Sequence, residues 1–156
     1  MRLGVFPVGD ALVASTRFRI LAFLPYLQKE GFEIHLRFPK IFRPSQAMSR
    51  VWNMAADVCA AASFDAVLLH GKCYPPAAAR WLHGRAPRMV FDFDDAVWMP
   101  PAGHPHERSA WRRVRYERNF EATVRGTSAA VAGNDYLAAK AREYVKDVEC
   151  IPTGLD

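Results

Sequence analysis

Asp65-Ala-Val-Leu-Leu-His70 is the stretch from which the fold is read. It is short, apolar along its middle and closed by one polar residue, the pattern of a strand buried in a parallel sheet. Pro75-Pro76 follows and suits the opening of a helix over Ala77 to His83, because a first helical turn tolerates proline. The same alternation of strand and helix extends in both directions. Upstream, Arg2 to Val8 reads as a strand that Gly9-Asp10 breaks. Ser15 to Glu30 then carries Phe18, Leu21, Leu24 and Leu27 at helical spacing, and Gly31 stops it. Phe32 to Phe38 alternates as a strand should, and Pro39 and Pro44 bracket a loop. Ser45 can cap a helix whose Met48, Val51, Trp52, Ala55, Val58 and Cys59 share one apolar face.

Downstream, Arg88 to Phe93 is a further strand, and a loop with Pro100, Pro101, Gly103 and Pro105 leads into an arginine-rich helix over about His106 to Arg125. Trp111, Val114 and Phe120 are its candidates for the packed side. Ser128 to Ala132 is the fifth strand, Asn134 can cap a helix through Val145, and Val148 to Ile151 is the sixth strand. Strands separated by helices imply an α/β, Rossmann-like fold with a mainly parallel six-stranded sheet and helices on both faces. No internal repeat, low-complexity tract or second domain interrupts residues 1–156.

Composition sets the outer bounds. A chain of 156 residues that is 51% hydrophobic has ample material for a buried core, which excludes intrinsic disorder. Its apolar runs, such as Ala66 to Leu69 and Ala60 to Ala62, fall far short of the ~20 residues of a spanning helix, and the N-terminus carries no secretory signal pattern. The expectation is therefore a soluble, cytoplasmic protein. Cys59, Cys73 and Cys150 are an odd number without a C-x-x-C pair, which fits free thiols. The net charge of +5 is concentrated: Arg108, Arg112, Arg113, Arg115, Arg118 and Arg125 fall in one segment, against Glu107, Glu117 and Glu121. Such a helix can meet phosphate, nucleic acid or an anionic bilayer, or can be a solvated helix laced with i,i+4 pairs.

In open parallel sheets, ligands collect beyond the carboxyl ends of the strands. Four polar places lie there in this sequence. Gly9-Asp10, with Thr16, Arg17 and Arg19 on the following helix, offers a close backbone approach and positive charge, although neither a G-x-G-x-x-G nor a P-loop spacing is present. His70, with Gly71 and Lys72, can present one ring nitrogen to a ligand while the other is oriented from behind, or can be merely structural. Asp92, Asp94 and Asp95 can hold hydroxyl groups, bind a divalent cation or share a proton, or can cap and pair locally. Gly133-Asn134-Asp135 closes the set. His104 and His106 flank Pro105 but have no further ligand at metal spacing, so no metal site is expected.

Taken in order, Ser15-Thr-Arg-Phe-Arg19 with Leu24-Pro-Tyr-Leu27 and Gly31, then Val90-Phe-Asp-Phe-Asp-Asp-Ala-Val-Trp98, then Ala132-Gly-Asn-Asp-Tyr-Leu137 with Ile151-Pro-Thr-Gly-Leu-Asp156, resemble the N-terminal domain of a retaining, family-4-like glycosyltransferase of the GT-B fold. The likeness runs the length of the chain. It implies an acceptor-binding domain that hands over, at Ile151 to Asp156, to a C-terminal domain that binds a nucleotide-sugar. Without that domain the fragment is expected to be inactive. No cofactor is implied beyond the nucleotide-sugar co-substrate, and the acceptor is a glycan or a lipid-linked group. By position, the Gly9 loop would approach the donor phosphates or the transferred sugar, and His70 would hydrogen-bond the sugar. The Asp92 to Asp95 turn would line the acceptor cleft, and Asn134 would sit at the interdomain edge. The sequence departs from many relatives in having a single Gly9 instead of a glycine pair, and Asp-Phe-Asp-Asp where a His-Asp pair is common. A helix rich in arginine (Arg108, Arg112, Arg113, Arg115, Arg118) suits contact with a membrane surface.

Two other readings compete. Met89-Val-Phe-Asp-Phe-Asp-Asp95 also resembles the apolar strand and D-x-D of a haloacid-dehalogenase-type phosphatase, with Asp92 as nucleophile, Asp94 as general acid and Mg²⁺ required. The later sequence lacks the paired acids after an apolar strand that would complete that metal site. A stand-alone Rossmann-like binding module is the non-enzymatic alternative, and no nucleic-acid reader motif accompanies the basic helix.

Overall fold

The computed structural model describes residues 1–40, 45–101, 103 and 109–154. Six strands, β1 (Arg2–Phe6), β2 (Glu33–Leu36), β3 (Ala66–His70), β4 (Met89–Phe93), β5 (Ala129–Ala132) and β6 (Val148–Cys150), form one sheet. Every neighbouring pair is parallel, in the order β2-β1-β3-β4-β5-β6. The helices are α1 (Leu24–Lys29), α2 (Gln46–Ala61), α3 (Pro76–Arg85), α4 (Ala110–Val124) and α5 (Asp135–Arg142). This is the Rossmann-like α/β architecture expected from the alternation of strand and helix.

The order of strands assigns the helices to faces. The chain steps outward from β1 to β2, then returns past β1 to β3 and proceeds to β6 in one direction. Parallel crossovers are right-handed, so α1 lies on one face of the sheet and the helices of the returning run on the other. Two hydrophobic clusters match this division. The small one joins Leu3 and Val5 to Ile20, with Leu21, Leu24 and Leu27 packed against it. The large one joins Phe6, Val67, Leu69, Phe91 and Phe93 to Leu82, Phe120, Val124, Leu137 and Ala141. Residues of β1 and β3 alternate between the two, because successive strand side chains point to opposite faces of the sheet. The reversal between β1 and β3 is the switch point at which such sheets open a crevice.

Several details depart from the sequence reading. The helix expected over Ser15 to Glu30 is composite: a π turn over Thr16–Ile20 and a 3₁₀ turn over Leu21–Phe23 precede the α-helical part. On α2, Val58 is buried but Met48, Val51, Trp52, Ala55 and Cys59 face solvent. The face turned inward instead carries Met54, Asp57, Val58 and Ala61, where a buried carboxylate disguises the core side. On α4, Phe120, Thr123 and Val124 are buried, whereas Trp111 and Val114 are exposed. Arg108, His104 and His106, and Leu155-Asp156, lie outside the described residues.

Phe120 anchors α4. Its ring meets Phe91, Phe93, Trp98 and Tyr144 at centroid distances of 6.1, 5.6, 5.2 and 5.9 Å. Such edge and tilted contacts add to the burial of a large ring. Phe120→Ala is expected to lower the free energy of unfolding by about 3–5 kcal/mol, read from urea denaturation. A loss under about 1 kcal/mol would mean that the aromatic cluster does not hold α4 on the sheet.

Candidate functional site

Register places His70 of β3 beside Asp92 of β4 at the carboxyl edge of the sheet. Both side chains project to the face that carries the segment after β1, and that segment meets them there. Arg19, in the π turn, donates to Asp92 twice, Nε to Oδ2 at 3.1 Å and Nη2 to Oδ1 at 2.6 Å. A π turn inserts one residue into the helical path and is often found at functional sites. Arg19 Nη1 also donates to the carbonyl of Ile151 at 2.7 Å and to Thr153 Oγ1 at 3.1 Å, in the segment after β6. His70 Nδ1 lies 2.7 Å from Asp92 Oδ2. An ionised carboxylate accepts, so Nδ1 carries the proton, and Nε2 is left to accept from the Ser15 hydroxyl at 3.3 Å.

This knot is buried: Arg19, His70 and Asp92 are 8%, 0% and 5% exposed. Burial opposes the charge on Arg19, but the hydrogen bonds and charge of Asp92 outweigh it and raise the guanidinium pKa. A bidentate Arg–carboxylate pair is among the stronger charge-assisted arrangements.

The remaining site residues divide by what holds them. Thr16 is buried, and its hydroxyl donates to the Gly9 carbonyl at 3.3 Å, closing the loop after β1. Asp10 accepts from the Leu12 amide at 2.9 Å, a local turn that occupies its carboxylate. Arg17 is exposed and stacks over the Phe18 ring at 5.0 Å. Asn134 caps α5 by accepting from the Leu137 amide at 2.9 Å. Lys72 turns away to Asp57, 2.9 Å from Oδ2. Asp57 also accepts from Arg37 Nε at 2.9 Å and from the Tyr74 hydroxyl at 2.7 Å. Burial pulls the Lys72 amine down against the attraction of Asp57, and burial with the Asp57 charge pushes the Tyr74 hydroxyl well up. This second knot was not foreseen, yet its signal was present: Asp57 lies among Met54, Val58 and Ala61 at helical spacing.

Asp94 and Asp95 complete the edge. Asp95 is exposed and its carbonyl accepts from the Val97 amide. Asp94 is half-buried and, among the described residues, has no hydrogen-bond partner for its carboxylate. Burial pushes this carboxyl above its ordinary range, with Asp95 and Asp92 adding to the rise and His70 and Arg19 opposing it. Gly133 packs against it, since a Cβ there would lie 3.1 Å from Asp94 Cα and 3.5 Å from Arg19 Nη1. Gly71, at φ 65°, turns the chain sharply after His70 while its amide donates to the Asp92 carbonyl at 2.8 Å. The arrangement therefore presents the half-buried Ser15 hydroxyl and the Asp94 carboxyl at this edge, with His70 Nε2 buried behind Ser15. These are groups suited to sugar or other hydroxyls, while Arg19 and Lys72 are engaged internally.

The same contacts bear on the phosphatase alternative. Three lone-pair directions of Asp92 are filled by Arg19 and His70, which leaves it poorly placed to attack phosphorus or hold Mg²⁺. Among the described residues, no group of three or more His, Cys, Asp and Glu is arranged to hold a metal ion. His104 and His106 lie outside them.

No protein-family model matches the chain, and no curated protein matches it in sequence. Among solved structures it is similar to Alr3699/HepE of Anabaena, determined in complex with UDP and glucose, at 14% identity and a TM-score of 0.53. The match covers 100% of this chain and 45% of HepE, so the chain spans under half the length of that protein. The likeness is one of fold.

Arg19→Gln would leave the buried Asp92 charge without its bidentate partner and is expected to cost about 3–5 kcal/mol of stability in urea denaturation. Asp94 carries a distinct pH signature. Its pKa is raised above 3.8, so the folded state holds the proton more tightly than the unfolded state, and stability falls as pH rises through the folded value. Asp94→Asn removes that loss. The variant should equal the wild type in urea midpoint in acid and exceed it towards neutral pH; a wild-type advantage at neutral pH would show that the carboxylate form is stabilised instead.

Proposed function

We propose that this chain is the acceptor-side, N-terminal domain of a glycosyltransferase that moves a sugar from a nucleotide-sugar donor to a glycan or lipid-linked acceptor. The donor would be held by a C-terminal domain outside residues 1–156, and the cleft between the two would be the site of transfer. The observation that carries this reading is the likeness of the whole chain to HepE, whose structure holds UDP and glucose. The edge described above supplies chemistry of the right kind. His70, fixed in one tautomer by Asp92, can accept a hydrogen bond from a sugar hydroxyl through Nε2 if Ser15 yields its place. Asp94 can bind a second hydroxyl.

In this reading the acids bind and orient, and no metal or organic cofactor is required beyond the nucleotide-sugar. Gly9 and the loop that Thr16 closes would lie towards the transferred group, with Asp95 and Asn134 at the rim. Arg19 would set the geometry from behind and not touch the donor, because its donors are spent on Asp92, Ile151 and Thr153. Free thiols at Cys59, Cys73 and Cys150 suit a reducing compartment such as the cytoplasm. Burial pushes the Cys73 thiol up to about 12, so it is no nucleophile at neutral pH.

The test is sugar transfer by the complete polypeptide that contains this chain, read as nucleoside diphosphate released from a panel of nucleotide-hexoses. His70→Ala and Asp94→Asn are each expected to lower kcat/KM by about 10- to 100-fold, the worth of a hydrogen bond to a charged or oriented group. Arg17→Ala should stay within about twofold, as an exposed side chain outside the knot. Release that is unchanged in both His70→Ala and Asp94→Asn would remove this edge from the transferase. Aryl phosphate hydrolysis abolished by Asp92→Asn would restore the phosphatase.

A further inference from the structure

Three of the four tryptophans face solvent: Trp52, Trp81 and Trp111 are 53%, 68% and 66% exposed, while Trp98 is buried. They belong to α2, α3 and α4, and α3 packs between the other two. The three rings therefore stand on one helical layer. Met48 and Val51 accompany Trp52, and Val114 accompanies Trp111, all of them exposed. Monomeric proteins seldom leave so many large apolar side chains on one face without a use for them.

The charge on this layer has one sign. Arg50 on α2, Arg80 and Arg85 on α3, and Arg112, Arg113, Arg115 and Arg118 on α4 form no ion pair among the described residues. The acids on these helices are already compensated. Asp57 is buried between Arg37 and Lys72, Glu117 is paired with Lys140, and Glu121 is paired with Arg125. On α4 the residues Trp111, Val114, Arg115 and Arg118 recur at helical spacing, so aromatic, aliphatic and cationic groups share one stripe. The Arg115 guanidinium lies 5.0 Å from the Trp111 ring centroid, so cation and ring are presented together.

We propose that the outer surface of α2, α3 and α4 docks on an anionic lipid bilayer. The arginines complement an anionic leaflet, and the tryptophans suit the headgroup level, where a ring that is apolar with one polar edge is favoured. Among the described residues no helix is long and apolar enough to cross a membrane, so the contact is with the surface. Single-stranded nucleic acid also pairs arginine with aromatic rings, but Met48, Val51 and Val114 offer nothing to a base or a phosphate and are at home among acyl chains. The proposal goes beyond the transferase reading and stands without it. It widens the contact from the arginines of one helix to three helices with a shared apolar component.

Vesicle co-sedimentation tests it without any donor sugar, so its failure is separate from failure of the transferase. The protein should partition onto phosphatidylcholine vesicles containing phosphatidylserine and not onto pure phosphatidylcholine, with tryptophan emission shifting to the blue. Arg115→Gln with Arg118→Gln should weaken partition about 25-fold, about fivefold for each charge. Trp81→Ala, on a helix outside the arginine-rich segment, should weaken it several-fold while thermal unfolding stays unchanged. Equal binding to both vesicles, no effect of Trp81→Ala, or tighter binding to a single-stranded oligonucleotide than to the anionic vesicles would overturn the proposal.

Discussion

The carboxylate of Asp92 is the point on which the carboxyl edge of the sheet depends. A buried charge is costly unless it is paired and hydrogen-bonded, and Asp92 meets that condition with groups from two other parts of the chain. Arg19 comes from the segment after β1 and His70 from the end of β3. Arg19 then extends the knot to Ile151 and Thr153, so the segment after β6 is held over the same edge. Removing the carboxylate would do more than delete a hydrogen bond. It would leave a guanidinium buried without a counter-charge and release the histidine ring from its orientation.

Asp57 repeats the solution on the opposite face. Its carboxylate is satisfied by Arg37 after β2 and by Lys72 and Tyr74 after β3, so it closes the sheet edge from the side of α2. Two buried acids, each tying separate connections, thus fix the loops around the switch point. Asp94 is the exception. It lies beside the first knot and, among the described residues, its carboxylate has no hydrogen-bond partner, whereas that of Asp92 is filled. Gly133 makes the close approach around Asp94 possible by carrying no side chain.

The sheet and its order of elements were legible because apolar runs separated by capped, periodic segments admit few topologies. Which side of a helix turns inward was less so. On α2 the apolar stripe from Met48 to Cys59 is the stronger periodic signal, yet the inward side contains Asp57, whose charge is neutralised by residues 20 and 15 positions away. On α4, Thr123 hides the buried side by bonding back to the Asn119 carbonyl and to the Tyr74 amide. In the candidate site, His70 and the Asp92–Asp95 cluster were visible from their places at strand ends. Their division of labour was not, since Arg19 reaches Asp92 across 73 positions and Ile151 across 132. Local pattern identifies a cation beside a glycine loop; it does not reveal that the cation is already spoken for.

The two unequal cores have a consequence for how this molecule fails. β1 belongs to both, but the aliphatic contacts of β2 and α1 fall in the smaller cluster, at the margin of the sheet. Regions with few buried contacts open at lower free energy than the rest. The segment bearing Ser15 and Arg19 lies on that weaker side, while His70 and Asp92 stand on strands rooted in the larger cluster. Partial opening would pull one half of the knot from the other while the remaining five strands and the helices of the larger cluster persisted. Warming would then part Ser15 and Arg19 from His70 and Asp92 before it melted the fold.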